Sequence, residues 1–209
     1  MYLVYNRCMD KNEKTIILAS ASPRRLEIMR DHGIDPIVHP ADIDEKIPAY
    51  TDVHQVPSSI ASQKARAVFE EKAFSDGIII GADTIVYLGD PEGPGEIMGK
   101  PADEEDGFRM LSELRGRTHM VITGVCLIDI VSGKERVFSE TTSVTFTDIS
   151  DVDLKSYLRT PEAYDKAGGY AIQGTFAKYI KSFDGSYENV VGFPWERIKK
   201  EINILQEEL

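Results

Sequence analysis

Cysteine is scarce in this sequence of 209 residues, which contains only Cys8 and Cys126. Two cysteines that far apart do not indicate a disulfide framework, and the simplest expectation is a reducing cytoplasm. An excess of positive charge is also missing, because the formal net charge is −11. Nucleic acids and anionic membranes attract basic proteins, so we expect neither as a partner. Any anion site must therefore be a local basic pocket.

Long hydrophobic runs and several familiar enzyme motifs are missing as well. No apolar stretch approaches the length of a membrane span, and the N-terminal residues lack the pattern of an export signal. The four histidines show no spacing typical of metal ligands, and neither His-Glu-x-x-His nor Gly-x-Ser-x-Gly occurs. Zinc protease and serine hydrolase activities are therefore not expected.

Strand and helix signals alternate along the chain without repeats, which indicates an α/β fold. We expect an N-terminal extension at residues 1–14 and a single domain at residues 15–209. The clearest predicted helices cover residues 103–114 and 151–158 and the segment from Trp195 onward. Separate strands are predicted at residues 136–138 and 141–147, a polar loop at residues 89–99, and a final hairpin between the glycine-rich segments 167–174 and 190–194.

A short apolar run, residues 16–18, leads through small hydroxyl residues to a proline and two arginines. Ser22 is a suitable N-cap and Pro23 a suitable first helical residue. Arg24 and Arg25 then fall in the first turn, where the helix dipole favours anions rather than cations. A bound phosphate chain would offset their charge, but two solvated surface arginines would cost little. The segment alone leaves both interpretations open.

A carboxylate interrupts the most apolar stretch of the chain. Asp83 lies between Ile78-Ile79-Ile80 and Ile85-Val86, and a buried charge must be paired, hydrogen-bonded or metal-bound. Gly81 and Ala82 are small, so a ligand or metal can approach the backbone there. The alternative is an aspartate that turns the end of a strand, but the strand pattern resumes at once after Asp83. We therefore place the chemical centre at Asp83.

Three lysines on separate segments supply further positive charge: Lys64, Lys100 and Lys166. Each alone is more typical of a solvated surface residue. Gly99-Lys100 resembles part of a phosphate-binding P-loop, but Pro101 replaces the Ser or Thr that would hold magnesium. The loop before Lys100 is instead expected to deliver this lysine to a site.

The motifs occur in an order that identifies a known family. They are Leu18-Ala19-Ser20-Ala21-Ser22-Pro23-Arg24-Arg25, Gln63-Lys64-Ala65, Gly81-Ala82-Asp83-Thr84, Gly99-Lys100-Pro101, Gly116-Arg117-Thr118-His119, Thr123-Gly124-Val125, residues 166–174 and Gly185-Ser186-Tyr187. In this order they resemble the Maf-like nucleoside triphosphate pyrophosphatases, also called septum-formation inhibitor proteins. The resemblance implies an elongated α/β fold of the Maf and inosine triphosphatase type, with a mixed twisted sheet, flanking helices and a cleft between two lobes.

The resemblance also implies an activity. Such enzymes hydrolyse a nucleoside triphosphate to the monophosphate and pyrophosphate with a divalent metal, Mg²⁺ or Mn²⁺, as cytoplasmic homodimers that clear unwanted nucleotides. Two alternatives remain at this point: a module that controls division and binds nucleotides without cleaving them, and a purine-specific enzyme of the inosine triphosphatase type.

Roles carry over from the family to matching positions. Asp83 matches the proton acceptor, and Glu45 and Asp83 match metal-site positions, although Glu45 can equally be an exposed loop residue. The resemblance implies that the triphosphate is bound by Ser20, Arg24, Arg25, Lys64 and Lys100. Arg24, Thr84 and Gln173 match the branch that acts on dTTP and UTP. A glutamine amide complements the donor and acceptor edge of uracil or thymine, but Gln173 can instead cap the turn at Gly174.

Overall fold

The computed structural model describes residues 14–47, 52–90 and 93–208, so Cys8 and most of the expected N-terminal extension lie outside the described residues. The strands are β1 (Ile16–Leu18), β2 (Ile37–Val38), β3 (Ile78–Gly89), β4 (Gly95–Met98), β5 (Thr118–Asp129), β6 (Glu135–Phe146) and β7 (Ile180–Asp184). The α-helices are α1 (Pro23–Asp31), α2 (Gln55–Glu70), α3 (Glu104–Leu114), α4 (Asp151–Leu158), α5 (Tyr187–Val191) and α6 (Trp195–Glu207). Short 3₁₀ turns cover Pro161–Ala163, Ala167–Gly169 and Thr175–Tyr179. Within the described segments, no helix combines the length and apolar character needed to cross a membrane.

The seven strands of the described residues belong to one mixed sheet. Its order is β2-β1-β3-β5-β6-β7, and β4 pairs with the far end of β3. Strand β1 is parallel to β2 and β3, whereas the other pairs are antiparallel. The central strands β3, β5 and β6 are each twelve residues long. The α/β fold that the sequence pattern predicts is therefore present, with the mixed sheet that the family resemblance implies.

The two faces of the sheet carry different helices, because successive side chains of a strand point to opposite faces. Helix α2 covers one face and packs on Ile79 and Cys126. On the other face, one cluster joins α1 and α6 to Ile80. A second cluster joins α3 and α4 to Val86 farther along β3. These two clusters form the cores of two lobes on the same face.

The first strand–turn–helix unit forms as the sequence predicts, with one difference. Helix α1 begins at Pro23, with Ser22 as the N-cap, and ends at Asp31, with His32 as the C-cap and Gly33 following at a φ of 78°. The Ser22 side chain makes no capping hydrogen bond. Instead, the Ser22 backbone N–H donates to Ser20 Oγ over 3.3 Å. The turn between β1 and α1 is thus closed by the hydroxyl of Ser20.

Three local predictions were wrong. Within the predicted loop, Gly95–Met98 form the returning strand β4, which pairs with the end of β3. The two strands predicted at 136–138 and 141–147 are one strand, β6, because Ser139 and Glu140 also pair with β5. No final hairpin forms, since β7 adds to β6 at the sheet edge and residues 187–191 are helical. In each case a tertiary pairing or a helix cap outweighs the local pattern.

Candidate active site

A gap along one edge of β3 creates the cleft. Along this edge, β3 pairs with β1 only as far as Ile80, opposite Leu18, and pairs with β4 only from Val86 onward, opposite Met98. Between these points no described strand pairs with this edge of β3. A cavity of about 690 Å³ opens there, lined by Asp83 and Thr84 among others, and its volume lies in the range typical of ligand pockets.

Asp83 points to the face of the sheet that α2 covers. Lys64, on α2, places its Nζ 2.8 Å from Asp83 Oδ1 and 2.8 Å from Glu45 Oε1. Asp83 and Lys64 are largely buried, whereas Glu45, on the connection after β2, is half-exposed. One ammonium group thus holds together the two carboxylates that match metal-site positions of the family.

Two glycines bring α2 close enough for this contact. A Cβ at Gly81 would lie 2.2 Å from the carbonyl oxygen of Ala61, and one at Gly124 would lie 2.2 Å from the backbone of Pro57 and Ser58. The sequence predicts that a ligand or metal approaches the backbone at Gly81. In the structure the backbone of α2 fills this space, so the small residue serves helix packing and the position of Lys64.

Arg25 points to the opposite face and is buried. Its Nε donates to Gly192 O (2.9 Å), and its Nη1 donates to Ser20 Oγ and to Ala82 O (2.8 Å each). Its Nη2 donates to Thr84 Oγ1 (3.2 Å). Four of the five guanidinium N–H groups are therefore used inside the protein. Burial lowers the pKa of Arg25, while the nearby Asp83 and Glu45 carboxylates oppose that change.

Arg24 lies at the cleft mouth instead. Its Nη1 forms an ion pair with Asp165 Oδ2 over 2.6 Å. Lys166 contacts the other carboxylate oxygen of Asp165, and its Nζ also donates to Glu162 O over 2.7 Å. Burial acts to raise the pKa of the Asp165 carboxyl, but hydrogen bonds from Lys166 and Arg24 outweigh it, so the pKa is lowered. Sequence reasoning gave Lys166 no site role and did not consider Asp165 at all, although both belong to the motif at residues 166–174 or adjoin it.

The segment around Lys100 and the segment with Gln173 form the rest of the cleft wall. The backbone N–H of Gly168 donates to Gly99 O over 2.9 Å, which ties the two segments together. The turn at Gly174 is held by Glu162, whose carboxylate accepts hydrogen bonds from the Thr175 backbone and hydroxyl. Glu162, rather than Gln173, therefore supports this turn, and Gln173 lines the cleft with an exposed side chain.

A buried pair of side chains, Tyr170 and His119, anchors the segment of the cleft wall that contains Gln173. Tyr170 lines the cleft, and its hydroxyl lies 2.7 Å from Nε2 of His119 on β5. Burial lowers the pKa of His119 to about 3, so the imidazole is neutral. His119 belongs to the motif at residues 116–119, but the sequence gives no sign of its role, because only the fold brings β5 behind Tyr170.

The charges of the lining differ from those of the protein as a whole. The cations are Arg24, Arg25, Lys64, Lys100 and Lys166, and the carboxylates are Glu45, Asp83 and Asp165. The lining thus carries two more positive than negative charges, in a protein whose net charge is −11. All the predicted site residues, Ser20, Arg24, Arg25, Glu45, Lys64, Asp83, Thr84, Lys100 and Gln173, line this one cleft. Their individual roles stay predictions.

A family model and several known proteins are similar to this chain over most of its length. A family model described as "Maf-like protein" matches residues 15–205. A protein of Ruminiclostridium cellulolyticum named dTTP/UTP pyrophosphatase is 39% identical over 200 residues, which cover 94% of this chain and 98% of that protein. Proteins of the same name from Syntrophomonas wolfei and Bacillus cereus are 40% and 39% identical, and cover 91% and 97% of this chain and 100% and 95% of their own lengths.

A solved structure shares the fold at lower similarity. The Ham1 protein of Staphylococcus aureus superimposes with a TM-score of 0.50 and 16% identity, over 94% of this chain and all of that one. At this identity the likeness concerns the fold alone.

Proposed function

The chain belongs to the Maf-like protein family, and on this premise we propose that it is a nucleoside triphosphate pyrophosphatase that hydrolyses dTTP and UTP. The reaction breaks the anhydride between the α- and β-phosphates and releases the monophosphate and pyrophosphate. The observation that carries the proposal is the cleft itself, where Asp83 and two further carboxylates lie among five basic side chains of an otherwise acidic protein.

The arrangement suits this hydrolysis in three ways. Arg24, Lys100 and Lys166 line the cleft with cations that can bind phosphate oxygens and stabilise charge on the leaving pyrophosphate. Asp83 lies at the same cleft and can accept a proton from the attacking water. Arg25 and Ser20 act as positioning residues, since their hydrogen bonds fix the turn after β1 and the hydroxyl of Thr84.

A divalent cation, Mg²⁺ or Mn²⁺, is a further part of the proposal. Among the described residues, no group of three or more His, Cys, Asp or Glu side chains can hold a metal. Asp83 and Glu45 nonetheless share one point of contact at Lys64 Nζ. Mg²⁺ is commonly bound by one or two carboxylates together with substrate phosphates and water, so these two residues fit a cation that arrives with the nucleotide. When bound, the cation would neutralise phosphate charge and activate water.

Base selection is assigned to Thr84, Gln173 and Arg24. Gln173 supports this assignment best, because its side chain is exposed in the cleft while Glu162 holds the neighbouring turn. Its amide can pair with the adjacent donor and acceptor of uracil or thymine.

We further propose a cytoplasmic homodimer that cleans nucleotide pools, as the family resemblance implies. Analytical ultracentrifugation of the purified protein measures the oligomeric state, and a monomer at micromolar concentration would contradict that part. A link to septum formation is a separate question, which the cell length of a deletion strain addresses.

The decisive experiment is a nucleotide panel. Pyrophosphate release from dTTP, UTP, CTP, ATP, GTP and ITP is measured with Mg²⁺ or Mn²⁺ by a coupled assay, with Asp83→Asn as the control variant. We expect dTTP and UTP to be turned over fastest and Asp83→Asn to lose activity by about 10²-fold or more. Preference for ITP would indicate a purine-specific enzyme, and nucleotide binding without turnover in the parent protein would indicate a non-catalytic module.

A further inference from the structure

The carboxylate of Asp165 lies between two cations of the cleft wall. Its Oδ2 is 2.6 Å from Arg24 Nη1, and its Oδ1 contacts Lys166 Nζ. The backbone carbonyl of Asp165 also lies 3.5 Å from Arg24 Nη2. Each carboxylate oxygen thus holds one cation, in the way that two oxygens of a phosphate group would.

The three side chains differ in how firmly they are held. Lys166 is 14% exposed and keeps a second bond to Glu162 O, so it stays in place without Asp165. Asp165 is 57% exposed and lines the cleft. An exposed ion pair contributes little to stability, so the carboxylate can leave these cations at small cost to the fold.

We propose that Asp165 is a built-in competitor of phosphate for Arg24 and Lys166. In the free protein its carboxylate occupies both cations, and phosphate oxygens of a ligand replace it on binding. The inference rests on the proposed function, because it takes these cations as part of the phosphate site. Every phosphate ligand must overcome the same competition, so Asp165 weakens the hold on the pyrophosphate product and favours its release.

A role for Asp165 in orienting Arg24 would change phosphate affinity in the opposite direction. If Asp165 served to orient Arg24 for phosphate, its loss would weaken binding. If it competes, its loss strengthens binding, because a negative charge near the ligand disappears and two cations become free. The sign of the change in pyrophosphate affinity therefore decides between the two roles.

The test is titration calorimetry of inorganic pyrophosphate, in Mg²⁺ buffer, into the parent protein and Asp165→Asn. We expect Asp165→Asn to bind pyrophosphate on the order of tenfold more tightly, the effect of one unit charge removed a few ångströms from a phosphate. Asp165→Glu keeps the charge and is expected to bind like the parent. Equal or weaker binding by Asp165→Asn would overturn the proposal.

Asp151→Asn is a matched control. Asp151 is also 57% exposed and also pairs with an arginine, Arg115, but it lies on α4 outside the cleft lining. Its substitution changes the net charge equally, and we expect pyrophosphate affinity within about twofold of the parent. The measurement needs no turnover. Failure of the nucleotide panel would therefore refute the proposed function, while failure of the affinity change would refute only the role of Asp165.

Discussion

Asp83 and Thr84 are neighbours in β3 but act on opposite faces of the sheet. Asp83 meets Lys64 of α2, while the hydroxyl of Thr84 accepts a hydrogen bond from Arg25 of α1. Both line the same cleft because, among the residues that the structure describes, no strand pairs with this edge of β3 between Ile80 and Val86. The cleft therefore wraps around a strand edge, and the proposed base and the proposed selectivity residue are supported by separate helices.

The neighbouring hydrogen bonds determine whether the Thr84 hydroxyl donates or accepts in each of its contacts. Arg25 Nη2 donates to Thr84 Oγ1, and Thr123 Oγ1 donates to Asn189 O over 3.2 Å. The 3.0 Å contact between the two threonine hydroxyls must then be donated by Thr84. Its proton is used inside the protein, so Thr84 can offer the cleft only its methyl group and a hydrogen-bond acceptor.

Close packing of α2 on Gly81 predicts a large loss of stability for Gly81→Ala. The added Cβ would lie 2.2 Å from Ala61 O and 2.9 Å from Ala65 N, which are backbone atoms that cannot rotate away. We expect the free energy of unfolding to fall by about 3 kcal/mol, measured by urea denaturation. Gly99→Ala is the control, because a Cβ there meets nothing within 4 Å. Equal stability of the two variants would contradict the packing role of Gly81.

The same glycine illustrates where sequence reasoning succeeds and where it stops. The strand that runs through Asp83 and the start of α1 at Pro23 follow from local patterns, and the structure confirms both. The small residue at 81 indicates a close approach of other atoms, but not which atoms. Only the packing of α2 identifies them as a helix backbone rather than a ligand.

Arg24 and Arg25 show how much of the candidate site can be predicted from the sequence. Sequence places Arg24 and Arg25 together in the first turn of α1, and the structure agrees. Adjacent helical residues point about 100° apart, so one faces the cleft mouth and the other the sheet. Which arginine faces the cleft mouth depends on contacts with residues far along the chain, Asp165 and Gly192. No local sequence signal reveals these contacts.

The contact of one ammonium with two carboxylates predicts competition between Lys64 and a metal ion. Lys64→Met removes the cation that Asp83 and Glu45 share. We expect Lys64→Met to bind Mn²⁺ more tightly than the parent in the absence of nucleotide, measured as loss of the free Mn²⁺ signal in electron paramagnetic resonance, and to turn over nucleotide more slowly. Lys199→Met, which removes an exposed ion pair with Glu196 on α6, is the control. Equal Mn²⁺ affinity of Lys64→Met and the parent would refute the competition.

The buried His119 predicts a pH dependence of stability. Its pKa is lowered to about 3 by burial, whereas an unfolded histidine titrates near about 6.5. The unfolded chain therefore binds more protons between these values, and the contribution of His119 is present above about pH 6.5 and is lost as the pH falls. We expect the stability difference between the parent and His119→Gln to shift by about 2 kcal/mol between pH 7 and pH 5, with the parent losing more. Parallel curves in urea denaturation at the two pH values would contradict this expectation.

Alanine substitutions of Arg24 and Arg25, made separately, are expected to have unequal effects on stability and turnover. Arg25→Ala leaves Ser20, Ala82 and Thr84 without their donor in a buried site, and such a loss costs about 1–3 kcal/mol for each unpaired group. Arg24→Ala removes only a partly exposed ion pair, so its cost in stability is expected to stay below about 1 kcal/mol. The kinetics of the two variants are also expected to differ. Arg24→Ala raises KM for dTTP while the fold is intact. Arg25→Ala lowers kcat and also lowers the unfolding midpoint in urea. An Arg25→Ala variant as stable as Arg24→Ala would show that the buried hydrogen bonds of Arg25 do not hold the cleft together.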